Sequence, residues 1–169
     1  SEMRHYLPAR CTASHFKRMI EHMEQVKPRG ETRIGPLLHD LAGRLRRRGL
    51  IIVISDLLDD PQRVVDALGH FRYRRHEVIV FHVMDEDEMT FPYERLTRFK
   101  DAEGAGMVVA NPRIMRRRYL TRLNEFLRQI RACCLERGIG YELAQTTQPF
   151  ELMLSSYLDR RSRMSGLLK

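Results

Sequence analysis

Carboxylates are the residues of this 169-residue chain whose placement most suggests chemistry. Asp56, Asp59 and Asp60 close the run LIIVISDLLDD at 50–60, and Asp85, Glu86, Asp87 and Glu88 close a second apolar run. Oxygen ligands at such points suit a hard cation. Mg²⁺ keeps several of its waters, so one or two carboxylates with hydroxyls suffice to hold it. A carboxylate pair can also act as acid and base, but that use needs a nucleophile in reach. The plain alternative is structural: acids after strands cap the helices that follow.

Other catalytic signatures are absent from the sequence. There is no GxSxG elbow, Walker A loop, HExxH or dinucleotide glycine fingerprint. Seven histidines are scattered along the chain. His15 and His22 share one helix, without a third ligand at matching spacing. The three cysteines, Cys11, Cys133 and Cys134, form no CxxC pattern, which argues against a disulfide framework or zinc site and fits a reducing, cytoplasmic setting. No apolar stretch approaches the ~20 residues of a membrane helix. These features point away from an enzyme.

Elements must position the acids. Leu50 to Ile54, aliphatic and flanked by helical patterns, reads as a strand buried on both faces. Asp60-Pro61 is a helix start, with Val64, Val65, Leu68 and Phe71 on the inner face of a helix to about Arg74. Glu77 to Met84 is the next strand. Upstream, helices are expected over Thr12 to Lys27 and Ile34 to Arg48, the latter with Thr32 at its N-cap position. Downstream, Arg95 to Ala110 reads as a β-hairpin, Pro112 to Arg137 as the longest helix, Gly140 to Ala144 as a strand, and Pro149 onward as a last helix. The tail from Arg160 is basic and expected to fray. Strands alternating with helices predict an α/β fold with a mainly parallel sheet.

That alternation gives the net charge of +8 a direction. Arg46, Arg47 and Arg48, then Arg72, Arg74 and Arg75, precede strands and belong at the amino-terminal edge of the sheet. The acids follow strands and belong at the carboxyl edge, where open α/β sheets bind ligands. Helix dipoles account for this polarity by themselves. The arginine-rich edge could also bind phosphates or nucleic acid, although no aromatics interleave with its bases.

The runs GETRIGPLLHDLAGRLRRR, GLIIVISDLLDDPQRVVDAL and FHVMDEDEMTFPYERLTRFKDAEG, in that order, resemble a bacterial family of unknown function. Its members carry a von Willebrand factor A-like domain and are commonly encoded beside MoxR-type AAA+ ATPases. The resemblance implies a Rossmann-like, mainly parallel sheet with an inserted hairpin near 95–110, residues 1–160 forming one partial domain and 161–169 a basic tail. It also implies a metal-ion-dependent adhesion site at the carboxyl edge. Thr32 matches that site's second loop and Asp56 its third, while the first, Asp-x-Ser-x-Ser, is absent from these residues. The resemblance thus makes the chain incomplete at its amino end. Mg²⁺ is expected in a full-length protein and no tightly bound metal in this chain. A missing neighbour for Leu50 to Ile54 would leave an apolar edge open to self-association.

Three functions are compatible with these residues: a protein-interaction module working with an AAA+ ATPase, nucleic-acid or phosphate binding through the arginines, and metal-assisted hydrolysis at Asp56. The first is expected.

Overall fold

The sheet is built from the apolar runs that flank the acids. In the computed structural model, described for residues 7, 10–26, 34–45, 47–100 and 106–166, β1 (Leu50–Ser55), β2 (Glu77–Met84) and β5 (Gly140–Gln145) form a parallel sheet in the order β1-β2-β5. Ile52 pairs with Ile79 and Ile54 with Phe81, while Phe81 pairs in turn with Glu142. A second, antiparallel pair joins β3 (Thr97–Lys100) to β4 (Met107–Ala110), with Phe99 opposite Val108. The α/β fold and the hairpin are as the sequence predicts.

The described residues also form six helices: α1 (Ala13–Gln25), α2 (Ile34–Arg44), α3 (Pro61–Tyr73), α4 (Glu86–Thr90), α5 (Pro112–Glu136) and α6 (Phe150–Gly166). Their starts follow side-chain chemistry. Thr12 accepts from the His15 amide, Asp60 from Arg63, Asp85 from Asp87 and Asn111 from Arg113, satisfying N–H groups that have no partner within the helix. Pro61 and Pro112 fill first-turn positions where no N–H is needed.

One face of the sheet carries the core. Val64, Val65, Leu68 and Phe71 of α3 are fully buried with Val80 of β2 and with Ile130 and Cys134 of α5, and Ile34, Leu38 and Ala42 of α2 close the cluster. The opposite face is covered unevenly. Tyr157 of α6 meets Phe81 edge-on at 5.5 Å, and Ile79 and Phe81 are buried. Leu50, Ile52 and Ile54 remain 44%, 52% and 70% exposed. This corrects the expectation of a strand buried on both faces. Its cause is the order of the strands: β1 is the edge, and the α6 contact reaches β2 and β5.

Two further differences concern arginines. The second helix ends at Arg44, so Arg47 and Arg48 lie in the connection to β1 instead of on the last helical turn. Gly43 so near the end, with its high backbone entropy, favours early termination. At the other end of the chain α6 continues through Gly166, into the segment expected to fray. Arg160 pairs with Glu142 and Arg161 with Glu77, at 2.7 Å in the second case, fastening the helix to the sheet. Among the described residues, no helix is long and apolar enough to cross a membrane.

Candidate functional site at the carboxyl edge of the sheet

Asp56 is the first residue after β1, and it is exposed. Its Oδ1 accepts from the Leu58 amide and from the Ser55 hydroxyl, both at 3.4 Å. Ser55 Oγ in turn accepts from the Leu57 amide at 3.1 Å. These local bonds form a tight turn with Leu57 in the left-handed region at φ 53°. A non-glycine residue there is disfavoured by roughly 1 kcal/mol. The strain is tolerated because the Leu57 side chain is fully buried in the core. Anchored through Leu57, the turn holds out Asp56 and Leu58, the latter 69% exposed.

A buried histidine supports the turn from below. His82 of β2 has no exposed surface. Its Nε2 lies 2.9 Å from the Asp56 carbonyl oxygen and its Nδ1 2.9 Å from the Tyr141 hydroxyl. A carbonyl oxygen can only accept, so Nε2 carries the proton and the Tyr141 hydroxyl donates to Nδ1. Burial lowers the His82 pKa, against a smaller opposing pull from the Asp56 carbonyl and charge, and the ring is held neutral. Burial likewise pushes the Tyr141 hydroxyl up to about 12. The triad thus joins β1, β2 and β5 beneath Asp56. Sequence inspection missed it, although a lone histidine in the apolar run EVIVFHVM was the available signal.

The remaining acids are engaged in structure. Asp59 accepts the Gly35 amide at 3.2 Å, tying the start of α2 to the turn, and Asp60 caps α3. Asp85 belongs to a capping box with Glu88. Its carboxyl is held below the usual range, first by the Asp87 amide and then by the Thr146 hydroxyl at 2.8 Å.

Beside Asp59 opens a groove of about 800 Å³, between the β1–α3 turn, the end of β2 and α5. Met84, Leu123 and Phe126 contribute apolar surface, and Asp59, Glu88, Arg118 and Arg122 contribute charge. The expected inner face of α5 is buried only in its second half, at Ile130 and Cys134. Met115 is 47% exposed, and Tyr119, Leu123 and Phe126 are half-buried along the groove. Cys134, with its thiol pushed up to about 11 by burial, is an inert core residue.

The divalent ion implied by the resemblance needs more oxygens than this turn supplies. Among the described residues, no group of three or more His, Cys, Asp or Glu side chains is placed to share a metal. Asp56 can offer one carboxylate, and Thr32 lies outside the described residues. By themselves the described residues do not fit an octahedral ion.

The arginines expected at the opposite edge are also accounted for in part. Arg72 donates through Nε to the Arg137 carbonyl at 3.3 Å and through Nη1 to the His76 carbonyl at 3.1 Å. Arg74 reaches the Gly43 carbonyl at 3.5 Å. Both satisfy acceptors in or beyond helix ends. Arg75 sits in a left-handed turn at φ 64° and is exposed, as are Arg47 and Arg48. Arg46 lies outside the described residues.

Comparison with known proteins finds one family. The model described as protein of unknown function DUF58 matches residues 1–126 of the 169. No curated protein and no solved structure matches.

Proposed function

The chain belongs to the DUF58 family of proteins of unknown function, and from that premise we propose that it is a non-enzymatic protein-docking module whose contact surface is the carboxyl edge around Asp56. The observation that carries this reading is the turn itself. A buried leucine in a disfavoured conformation and a buried histidine fix the backbone so that Asp56 stays exposed and Leu58 lines the neighbouring groove. Strain held in place by the core is commonly found where a surface has a task. A fixed carboxylate beside exposed apolar surface suits recognition. Ser55, whose hydroxyl donates to Asp56, also accepts the turn's own Leu57 amide, and His82 is buried with both nitrogens committed.

In the finer form of the proposal the domain is von Willebrand factor A-like and docking is completed by Mg²⁺. The ion would be held by Asp56, Thr32 and an upstream Asp-x-Ser-x-Ser loop, with a partner carboxylate closing the coordination. The partner is a MoxR-type AAA+ ATPase, or a client that the two assemble together. Phosphate binding at the basic edge is less favoured, because the guanidinium groups of Arg72 and Arg74 are turned to backbone carbonyls. The test is affinity capture with the full-length protein, with and without Mg²⁺, comparing wild type with Asp56→Ala. Loss of the Mg²⁺-dependent partners in the variant is expected. An unchanged partner set would overturn metal-dependent docking.

A further inference from the structure

The groove beside Asp59 has a shape and a charge pattern that the Asp56 turn does not need. Its walls come from the β1–α3 turn, α4 and α5, and Met84 lines it from the end of β2, a strand with a neighbour on each side. No residue of β1 lines it, so the groove does not depend on what borders that strand. Leu58, Met115 and Ile114, the last 78% exposed, converge on it beside the half-buried Leu123 and Phe126. Exposed apolar side chains scattered singly are ordinary, but several gathered in one concavity mark a surface that is covered in use.

Backbone chemistry limits what can lie there. β2 is bonded to β1 and β5, and the α5 backbone is bonded within its own helix. An extended peptide would therefore gain no strand ladder in the groove. A helix satisfies its own amides and carbonyls, and lays apolar side chains at i, i+3 or i+4 and i+7 into such a site. The length agrees. From Ile114 to Phe126 α5 runs along the groove for about 18 Å at ~1.5 Å per residue, a little over three turns.

Charge divides by wall. Arg118 and Arg122 stand on α5, whereas Asp59 and Glu88 stand on the turn and α4. Among the described residues no ion pair joins the two sets. Asp59 accepts the Gly35 and Asp60 amides and Glu88 the Asp85 amide, and none of these bonds removes the charge. Resting on the docking reading, we propose that this groove receives an amphipathic helix of a partner protein, about three turns long, acidic on the flank beside α5 and basic on the flank beside the turn and α4. Turning such a helix end for end keeps its apolar face inward but swaps its flanks. The four charges thus select one of its two directions.

Selection of random displayed peptides of about 16 residues, long enough to be helical, against the full-length protein in EDTA tests this without Mg²⁺ or the ATPase. Enriched sequences should carry apolar residues at helical spacing, with acids on one flank and bases on the other. A synthetic peptide of the enriched sequence should gain helicity on binding and shift the labelled methyl groups of Met84 and Met115, leaving those of Met23 and Met153, outside the groove, in place. Arg118→Glu with Arg122→Glu, both at exposed positions, should be folded by circular dichroism and bind that peptide at least about tenfold more weakly. Changing the peptide's acidic flank to Lys should restore binding to this variant. Enriched sequences with alternating apolar spacing or internal proline, methyl shifts confined to other methionines, or affinity indifferent to the charge reversal overturn the inference. So does a selection that yields no binder. Failure of the docking reading is read separately, as partner capture by the full-length protein that Asp56→Ala leaves unchanged.

Discussion

At the scale of single residues, the turn after β1 depends on groups that are not themselves exposed. His82 donates to the Asp56 carbonyl and accepts from Tyr141. Replacing it with Leu removes two part-buried hydrogen bonds, at about 1 kcal/mol for each. Chemical denaturation should show that loss, and amide exchange at Leu57 and Leu58 should rise with it. The same histidine sets a pH dependence. Its folded pKa lies below the ordinary 6.5, so below that pH the unfolded chain takes up a proton that the folded chain resists. Its contribution to stability is complete above pH 6.5 and is lost as pH falls through the folded value. Wild type should therefore lose stability on acidification from pH 7 toward 5 more steeply than His82→Leu. Equal slopes would show that another group governs the range. Asp85 shifts in the same direction as a carboxylate, its protonation opposed by the Asp87 amide and Thr146. In a nuclear magnetic resonance titration it should titrate below 3.8, and Thr146→Val should move it upward.

At the scale of elements, sequence and structure agree where one pattern dominates. The first βα junction was legible because Asp60-Pro61 states its cap outright, whereas the short helix α4 behind Asp85 was not predicted; the strand Glu77–Met84 and the hairpin were marked by β-branched runs and turn residues. Burial was less legible. LIIVIS looks equally apolar whether one face or two is covered, and only the strand order decides which. The apolar spacing of α5 likewise extends through Met115, although Met115, Tyr119 and Leu123 line an open groove and contact with the core begins at Phe126. Arg72 shows the limit for charge. Its place at a helix end before a strand suggested an anion site, but its guanidinium satisfies carbonyls at the α5 C-cap and before β2. Arg72→Ala should accordingly lower stability by about 1–2 kcal/mol, as two hydrogen bonds from a charged donor are lost at an exposed position, and leave any phosphate affinity unchanged. Gly138 adds to the same corner. At φ +64°, with Arg72 Nη2 3.1 Å from where a Cβ would stand, Gly138→Ala should cost about 1 kcal/mol or more.

At the scale of the whole molecule, Asp56, Asp59, Asp60 and Asp85 follow strands at the carboxyl edge of the parallel sheet, and the Asp56 turn gives that edge its fixed feature. The alternation of strands and helices placed the acids at that edge, but it did not reveal what holds the turn. Asp56 stood out in the sequence, while its supports, Leu57, His82 and Tyr141, come from three strands or their ends and converge only when the sheet forms. The family match gives these features a lineage of unknown function, and the docking proposal gives them a task. Its most direct test is calorimetric titration of the full-length protein with the purified MoxR-type ATPase, in Mg²⁺ and in EDTA, for wild type and Asp56→Asn. The variant keeps an Oδ1 acceptor for the Leu58 amide and loses only the charge, so the turn should persist. Binding by wild type in Mg²⁺, weakened at least about tenfold both in EDTA and by Asp56→Asn, is the predicted result. Equal affinity in all four conditions, or no binding in any, would contradict the claim that Asp56 is a metal-dependent docking residue.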